Sequence, residues 1–368
     1  MPFSDFIGNR RIVDQIQRML AERRLPQTLL FAGPSGVGKA TLVRYLAAAM
    51  HCKQADADFC GQCPNCVKIL ALDLSTDEYI KAAEERAKLP AAKRTENPLI
   101  LSTHPDFLIF PPDGPLRMIS IDQARQLRKA AQYVASTKAG RLFHLDHADR
   151  ANDEASNALL KTLEEPSPNL TIVLTAENAY ELLPTIRSRT VPFHFSPLTN
   201  DEMVIFVEAR EDLSDEERKA LGGWAQGSPG RALSLDVESY LARREHLLAL
   251  LDTSLGKTSF AELLPHTDAI GRRQQEKISL LVETLHSLLS DLLHLRLGSG
   301  RLANIDIRER LRELADRVEF EWIEQAAKDL DNLARLERRN IQRQIAVEAL
   351  AVNWRQRAEA ARNAARTH

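Results

Sequence analysis

All four cysteines of the chain lie close together, as Cys52, Cys60, Cys63 and Cys66. Their spacing, C-x7-C-x2-C-x2-C, lets four thiolates surround one tetrahedral Zn²⁺ and leaves no coordination position open for catalysis. A disulfide framework would spread its cysteines along the chain. The spacing therefore predicts one structural zinc site within residues 52–66. Unmetallated thiols, an iron–sulfur cluster and a redox-active C-x2-C pair are the alternatives, and no supporting motif accompanies the last two.

A glycine-rich loop, Gly33 to Lys39 (GPSGVGK), follows an apolar strand-like run and leads into a helical one. In this setting backbone N–H groups face phosphate oxygens, and the lysine reaches the β- and γ-phosphates of a nucleotide. The predicted ligands of ATP or ADP are Gly33, Ser35, Gly36, Gly38, Lys39 and Thr41. Ala40 replaces the usual Ser or Thr that binds Mg²⁺, and Thr41 comes one residue late, so weak binding outranks hydrolysis. A strand-to-helix turn that binds nothing is the alternative.

Two further polar residues follow apolar runs that we predict as strands. The apolar run at residues 142–145 is followed by Asp146, a carboxylate placed to hold the Mg²⁺ of a bound nucleotide. Asn178 comes shortly after the run at 171–175, where a polar side chain would face the γ-phosphate. His147 follows Asp146, and a neutral imidazole there could hydrogen-bond a water. A nucleotide site with these residues and Ala40 is predicted to be a poor ATPase.

The elements that must position these residues change character along the chain. Residues 1–195 alternate strand-like runs with helical periodicity, which is typical of an α/β domain with a parallel sheet. Within it, residues 72–99 are charged and Ala-rich and are predicted to form a mostly helical surface insertion. A small helical domain is expected over 196–243, and an all-α domain over 244–368, where amphipathic segments contain almost no Gly or Pro.

The composition restricts the partners and the compartment. The 49 Lys and Arg residues nearly balance the 51 Asp and Glu residues, so no overall field draws the chain to nucleic acid or an anionic membrane. No uninterrupted apolar run approaches the roughly 18 residues of a membrane span, and the first residues contain no apolar signal region. A cytoplasmic location is expected.

Two segments carry a family resemblance. Residues 155–166 (ASNALLKTLEEP) and residues 183–189 (LPTIRSR), together with the glycine-rich loop, closely resemble the bacterial DNA polymerase III clamp-loader family of AAA+ proteins. The resemblance implies an AAA+ P-loop domain, a helical lid and a helical collar that mediates oligomerisation. A cysteine module after the P-loop helix is also a feature of that family, and His104-Pro105-Asp106 resembles one of its turns, to which we give a structural role.

The resemblance also assigns roles to single residues. Arg189 is implied to be an arginine finger that reaches the nucleotide site of a neighbouring ATPase subunit, with Ser188 shaping its loop. Three positions depart from the pattern of the hydrolysing members. His147 stands where they carry a Glu, Gly230 stands where their lid carries an arginine, and Thr190 replaces the usual Cys.

These residues support one function and leave two alternatives open. The first is a clamp-loader subunit that hydrolyses little or no ATP itself and supplies Arg189 in trans. Its partners would be ATPase and clamp-opening subunits in a hetero-oligomeric ring, and the sliding clamp and primed DNA through that complex. The second is the ATP-hydrolysing motor subunit of the same complex. The third is a zinc-containing nucleic-acid-binding protein with a degenerate nucleotide fold, against which the near-neutral charge argues.

Overall fold

The computed structural model describes residues 2–272, 278–298, 302–335 and 342–366. The chain divides into two compact units. The first comprises Met1–Met203 and Gly227–Arg231, and the second comprises Val204–Gln226 and Ala232–His368. The three-domain division at residues 195 and 243 stays a prediction.

The first unit contains a six-stranded sheet with the order β2-β3-β4-β5-β1-β6. Its strands are β1 (Thr28–Ala32), β2 (Leu101–His104), β3 (Phe107–Phe110), β4 (Arg141–Leu145), β5 (Leu170–Ala176) and β6 (Val191–His194). All neighbours pair in parallel except β2 and β3, which form an antiparallel pair at one edge. The predicted α/β class with a parallel sheet is confirmed.

Helices cover both faces of this sheet. Along β1, Leu29 and Phe31 belong to one buried cluster, while Leu30 and Ala32 belong to another, because successive side chains of a strand point to opposite faces. Every residue of β1, β4 and β5 is buried. Strands covered on both faces read as continuous apolar runs, which is why the sequence displays them clearly. The edge strand β6 is largely exposed and contains Pro192.

The helices of the first unit up to β6 precede or connect these strands. They are α1 (Arg10–Ala21), α2 (Lys39–His51), α3 (Pro64–Leu70), α4 (Asp77–Ala87), α5 (Ala91–Glu96), α6 (Ile121–Ala131), α7 (Asp153–Glu164) and α8 (Pro184–Arg187), with 3-10 turns at Phe3–Asp5, Ala148–Arg150 and Ala179–Glu181. Side chains fix several of the starts. Ser120 and Gln123 form a reciprocal capping box at α6, and the Asn152 side chain accepts the Ala155 N–H at α7.

The segment 72–99 contains the two helices α4 and α5. Arg86 in α4 makes two hydrogen bonds of 2.9 Å to the carboxylate of Asp113, outside the segment. Paired donors of this kind fix both distance and orientation. The segment is therefore tied to the domain by a partly buried ion pair.

The rest of the chain is helical wherever the structure describes regular elements. These are α9 (Asn200–Glu208), α10 (Asp215–Ala225), α11 (Pro229–Ser234), α12 (Val237–Ser254), α13 (Phe260–Arg272), α14 (Ile278–Arg296), α15 (Arg308–Ala315), α16 (Phe320–Arg335) and α17 (Arg343–Arg366), with a 3-10 turn at Ile305–Ile307. The helical character predicted after the sheet domain is confirmed.

The core of the second unit is built around α12, α14, α16 and α17. Trp354 in α17 is fully buried and meets Trp322 of α16 edge to face, with ring centroids 5.5 Å apart. Both indole N–H groups donate hydrogen bonds, that of Trp322 to the Trp354 carbonyl and that of Trp354 to Asp329. Among the described helices, α14 is long and apolar enough to span a membrane by length and composition, and 56% of that stretch is buried in this unit.

Trp354→Ala is expected to destabilise the second unit by about 3–5 kcal/mol, because it removes a fully buried indole and leaves a cavity. Urea unfolding followed by circular dichroism would measure the loss. Val134→Ala is the matched control, since Val134 is 91% exposed and its truncation should change stability by less than about 0.5 kcal/mol. Equal unfolding midpoints for the two variants would contradict the assignment of Trp354 to the core.

Candidate nucleotide site, cysteine module and exposed arginine

The glycine-rich loop joins β1 to α2, as expected of a phosphate-binding loop. Gly36 and Gly38 have φ values of +73° and +95°, a region that L side chains rarely adopt. Gly33 donates its N–H to the Ala176 carbonyl at 3.1 Å, which fixes the start of the loop to the end of β5. The loop therefore has the backbone curvature that a phosphate cradle needs.

Lys39 is turned onto its own loop. Its ammonium Nζ donates to the carbonyl oxygens of Gly33 at 2.6 Å and Pro34 at 2.7 Å. Burial lowers the pKa of Lys39, and the carboxylates of Glu177 and Asp146 oppose this shift. The cation that would bind the β- and γ-phosphates is thus satisfied by protein carbonyls.

Residues 227–231 lie directly against the phosphate loop within the same unit. The Ser228 hydroxyl donates to the Ser35 carbonyl at 3.0 Å, and the Gly230 N–H donates to the Gly36 carbonyl at 2.8 Å. A Cβ at position 230 would lie 2.7 Å from Gly36 Cα, and one at position 36 would lie 2.3 Å from Ser228 Oγ. Two backbones approach this closely only because glycine occupies both positions.

Asp146 follows β4 and is engaged by a neighbouring strand. The Thr175 hydroxyl donates to Asp146 Oδ1 at 2.7 Å, so it can only accept from the His147 N–H, 3.0 Å away. The imidazole of His144 lies 3.3 Å from the same hydroxyl. Burial lowers the pKa of His144 to about 4, with the Asp146 carboxylate opposing the shift. These contacts hold the carboxylate at the sheet end from which it could face Mg²⁺.

The residue that follows Asp146 in the chain is His147, which has no carboxylate. His147 adopts a left-handed conformation, and its Nδ1 lies 3.7 Å from Glu177 Oε1 and 4.0 Å from Asp149 Oδ1. Asp149 in turn accepts the Glu177 N–H at 2.9 Å. Apart from that bond, His147 Nδ1 lies near both carboxylates without a hydrogen bond to either.

The two remaining candidates for nucleotide binding face local partners. Asn178 is exposed; its Oδ1 accepts the Tyr180 N–H at 3.0 Å and its amide lies 3.4 Å from Glu181. Thr41 in α2 has its hydroxyl 3.5 Å from an Arg44 guanidinium nitrogen. In this arrangement Asn178 caps a turn and Thr41 lies beside a cation.

Ser188 and Arg189 are exposed at the carboxyl end of α8. Arg189 donates to the Thr185 carbonyl at 2.9 Å and to the Ser188 hydroxyl at 3.3 Å. Its other guanidinium nitrogen is 2.5 Å from the carboxylate of Glu164, at the end of α7, and 34% of the side chain stays exposed. The Ser188 hydroxyl donates to the same Thr185 carbonyl. The guanidinium is thus oriented by neighbours yet open to solvent.

The four cysteine sulfurs come together as the spacing predicted. Those of Cys52, Cys60, Cys63 and Cys66 all lie within 4.8 Å of one another. Tetrahedral zinc with Zn–S bonds of about 2.3 Å requires S–S separations of about 3.8 Å. Backbone N–H groups of Gln54 and Cys60 point at the Cys52 sulfur, each at 3.4 Å, and the Cys63 N–H points at Cys60. Such bonds orient thiolates toward a metal, so the residues fit zinc.

Hydrogen bonding also favours a thiolate in this module. Burial opposes ionisation of Cys63, but backbone N–H groups of Lys53 and Cys66 outweigh it and lower its pKa to about 6. Burial raises the pKa of Cys66 to about 12, and the Cys63 side chain adds to the rise. One sulfur is thus readily deprotonated, while another needs a metal ion to lose its proton.

Sequence reasoning missed two contributors to these sites. Thr175, which connects Asp146, His147 and His144, is a polar residue inside an apolar strand, and that irregularity was the available signal. Glu164 belongs to the motif at 155–166, but no pattern indicated that it would contact Arg189. A charge pair between two separate helices becomes visible only in three dimensions.

The phosphate loop, the mixed sheet and the helical second unit are together the architecture of AAA+ P-loop proteins of the clamp-loader class. Residues 8–199 match the family model described as DNA polymerase III, delta subunit, and residues 238–356 match its C-terminal model. The chain belongs to this DNA polymerase III delta subunit family.

Individual relatives agree with this assignment. DNA polymerase III subunit delta′ of Pseudomonas aeruginosa is 28% identical over 345 residues, which cover 88% of this chain and 90% of that protein. DNA polymerase III subunit tau of Salmonella typhimurium is 26% identical over 340 residues, covering 86% of this chain. The match spans 48%, about half, of the tau protein's length.

Among solved structures, a DNA polymerase III gamma subunit-related protein of Thermotoga maritima is similar, with 16% identity and a TM-score of 0.43. The alignment covers 94% of this chain and 99% of that one. A similarity at this level carries no argument about function.

Gly230→Ala is expected to loosen the contact between residues 227–231 and the phosphate loop, because the new Cβ would overlap Gly36 Cα. Overpacking of this kind costs about 1–3 kcal/mol. Hydrogen–deuterium exchange should show faster exchange of the loop amides.

Gly222→Ala is the control for this measurement. Gly222 lies in helix α10, and a Cβ added there would meet a Val207 methyl at 3.8 Å, an ordinary van der Waals contact. If the phosphate-loop amides exchanged at the same rate in Gly230→Ala and Gly222→Ala, the contact between Gly230 and Gly36 would not be what holds the loop.

Proposed function

We propose that this chain is a delta′-like subunit of the DNA polymerase III clamp loader, which helps to load the sliding clamp onto primed DNA during replication. In this role it supplies Arg189 in trans to the nucleotide site of a neighbouring ATPase subunit. The observation that carries the proposal is a contrast within one unit: the guanidinium of Arg189 is open at the surface, while Lys39 of the chain's own phosphate loop is bonded to that loop.

The chain's own site supports weak or absent ATP hydrolysis. Ala40 offers no hydroxyl to Mg²⁺, and His147 stands where a carboxylate base would activate water. Residues 227–231 lie against the loop within the first unit, and Gly230 stands where the family resemblance implies an arginine. ATP or ADP with Mg²⁺ would bind weakly, through Lys39, Asp146 and the loop amides, after Lys39 exchanges its carbonyl partners for phosphate.

Arg189 has the chemistry that a neighbouring active site would require. A planar guanidinium stabilises the charge that spreads over the transferred phosphoryl oxygens. Its ion pair with Glu164 is partly exposed and is therefore weak enough to exchange for a phosphate. Ser188 and the Thr185 carbonyl would keep the side chain directed while that exchange occurs.

The partners follow from the family. We place the chain in a cytoplasmic hetero-oligomeric ring with gamma/tau-type ATPase subunits and a delta-type clamp opener, joined through the helical region 244–368. Contact with the sliding clamp and primer–template DNA would come through the complex. The relatives named tau favour one alternative, an ATP-hydrolysing motor subunit, and the residues Ala40, His147 and Gly230 argue against it.

Arg189→Ala tests the trans role. In a reconstituted ring whose other ATPase sites carry inactivating substitutions of their P-loop lysine, turnover at the site facing Arg189 should fall by roughly 10³-fold or more. Steady-state phosphate release on primed DNA measures this. The isolated wild-type chain should show negligible turnover in the same assay.

Two further variants separate this role from a structural one. Arg210→Ala removes another partly exposed, ion-paired arginine and should leave turnover unchanged. Glu164→Gln releases Arg189 from its carboxylate and should keep turnover at or above the wild-type rate. Full activity of Arg189→Ala, or vigorous hydrolysis by the isolated chain, would overturn the proposed function.

The cysteine module is proposed to hold one structural zinc ion. The double variant Cys60→Ser, Cys63→Ser should lose one equivalent of zinc per chain, measured by inductively coupled plasma mass spectrometry, and should unfold at a lower temperature. Val67→Ser, at an exposed position of the same module, is the control and should keep its zinc. Unchanged zinc content in the double variant would refute the four-cysteine site.

A further inference from the structure

A second group of metal-binding side chains lies next to the cysteine module in the chain. His51 is the last residue of α2, His104 is the last residue of β2, and Asp106 lies in the turn between β2 and β3. All three are buried, with exposed fractions of 3%, 5% and 1%. One potential ligand atom from each lies within 4.8 Å of the other two. The two imidazole rings face each other with centroids 4.6 Å apart.

Within the described part of the chain, the hydrogen bonds around His51 leave one of its ring nitrogens without a partner. The Thr137 hydroxyl donates its single proton to Asp106 Oδ2, 3.2 Å away. Its contact of 3.4 Å with His51 Nδ1 therefore requires that nitrogen to carry the proton. In the neutral ring Nε2 then has a free lone pair, and this buried nitrogen has no hydrogen-bond partner among the residues that the structure describes. A buried, unpartnered nitrogen needs a physical explanation.

The Asp106 carboxylate is held in place but keeps unused acceptor capacity. The Ser136 N–H donates to Oδ1 at 2.8 Å and the Thr137 hydroxyl donates to Oδ2, which leaves further lone pairs on both oxygens. The nearest cation is Arg141, whose Nε lies 3.9 Å from Oδ1. That guanidinium also donates to the carbonyls of Ala130 and Tyr133, so its charge is shared among several acceptors.

His104 is the ligand that must change its bonding. Its Nδ1 accepts the Asp106 backbone N–H at 3.2 Å, at the long end of the range for such bonds. A metal ion bound at this nitrogen would replace that hydrogen bond with a coordinate bond. Metal binding would therefore adjust the 104–106 turn rather than break a strong interaction.

We propose that His51, His104 and Asp106 form a second metal site, separate from the four cysteines, for a first-row divalent cation such as Zn²⁺. Two imidazoles and one carboxylate suit Zn²⁺ and its neighbours in the first transition row, whereas Ca²⁺ and Mg²⁺ prefer oxygen ligands alone. The hydrogen bonds from Ser136 and Thr137 supply the outer support that orients a ligating carboxylate.

Such an ion would join elements that are distant in sequence. It would connect the end of α2 to the turn that starts β3, and His51 immediately precedes Cys52. One ion would then hold the cysteine module together, and the other would anchor the residue before it to the sheet. The proposal is independent of the role assigned to Arg189.

Metal stoichiometry tests this second site. The full chain is purified, equilibrated with excess Zn²⁺, freed of unbound ion by gel filtration and analysed by mass spectrometry. Wild type is expected to hold two zinc ions per chain. His51→Gln and His104→Gln should each hold one, and Cys60→Ser, Cys63→Ser should also hold one, because each change removes only one site. His194→Gln, at an exposed strand position, is the matched control and should hold two.

Cobalt titration of the wild-type chain gives a second readout that requires no variant. The cysteine site should produce intense thiolate-to-Co²⁺ charge-transfer absorption that is complete at one equivalent. A second equivalent should add weak d–d bands without further charge transfer, because its ligands are nitrogen and oxygen. A single bound equivalent of both Zn²⁺ and Co²⁺ in the wild type, or unchanged stoichiometry in both histidine variants, would overturn the second site.

Discussion

A backbone contact that only glycine permits holds the phosphate loop against residues 227–231. Because a Cβ at position 230 would overlap Gly36 Cα, the present arrangement cannot accommodate an arginine, or any other side chain, at position 230. Lys39, turned onto the Gly33 and Pro34 carbonyls, completes a loop that satisfies its own polar groups.

The charged groups of the first unit differ in their exposure to solvent. Asp146 and Lys39, which would serve a nucleotide bound by this chain, are buried or partly buried and bonded to protein partners. Arg189, which would serve a nucleotide bound elsewhere, is paired with a carboxylate but remains open to solvent. Buried groups with good partners change them reluctantly, whereas exposed ion pairs exchange at little cost. This difference is what the proposed function requires, in which Arg189 acts at a neighbouring site and the chain's own site hydrolyses little ATP.

The sequence allowed the fold class and the cysteine cluster to be predicted because both depend on local patterns. Strands buried on both faces appear as apolar runs, and the spacing of the cysteines already satisfies tetrahedral chelation. The contacts of the candidate site could not be predicted in this way. The pairing of Glu164 with Arg189 joins two helices, and the approach of Gly230 to Gly36 joins positions far apart in the chain. The turn at residues 104–106 was given a structural role from its family resemblance alone, and its approach to His51 likewise joins positions far apart in the chain.

The edge strand β6 has a consequence for how such a chain can associate. Pro192 lies beside Leu30 in the ladder and has no N–H, and β6 is only four residues long. An edge of this kind offers a poor template for recruiting a strand from another molecule, and natural proteins use prolines and short edges to avoid uncontrolled aggregation. A subunit that bound at this side of the sheet would therefore have to be recognised through side chains, which confers selectivity that shared backbone hydrogen bonding would lack.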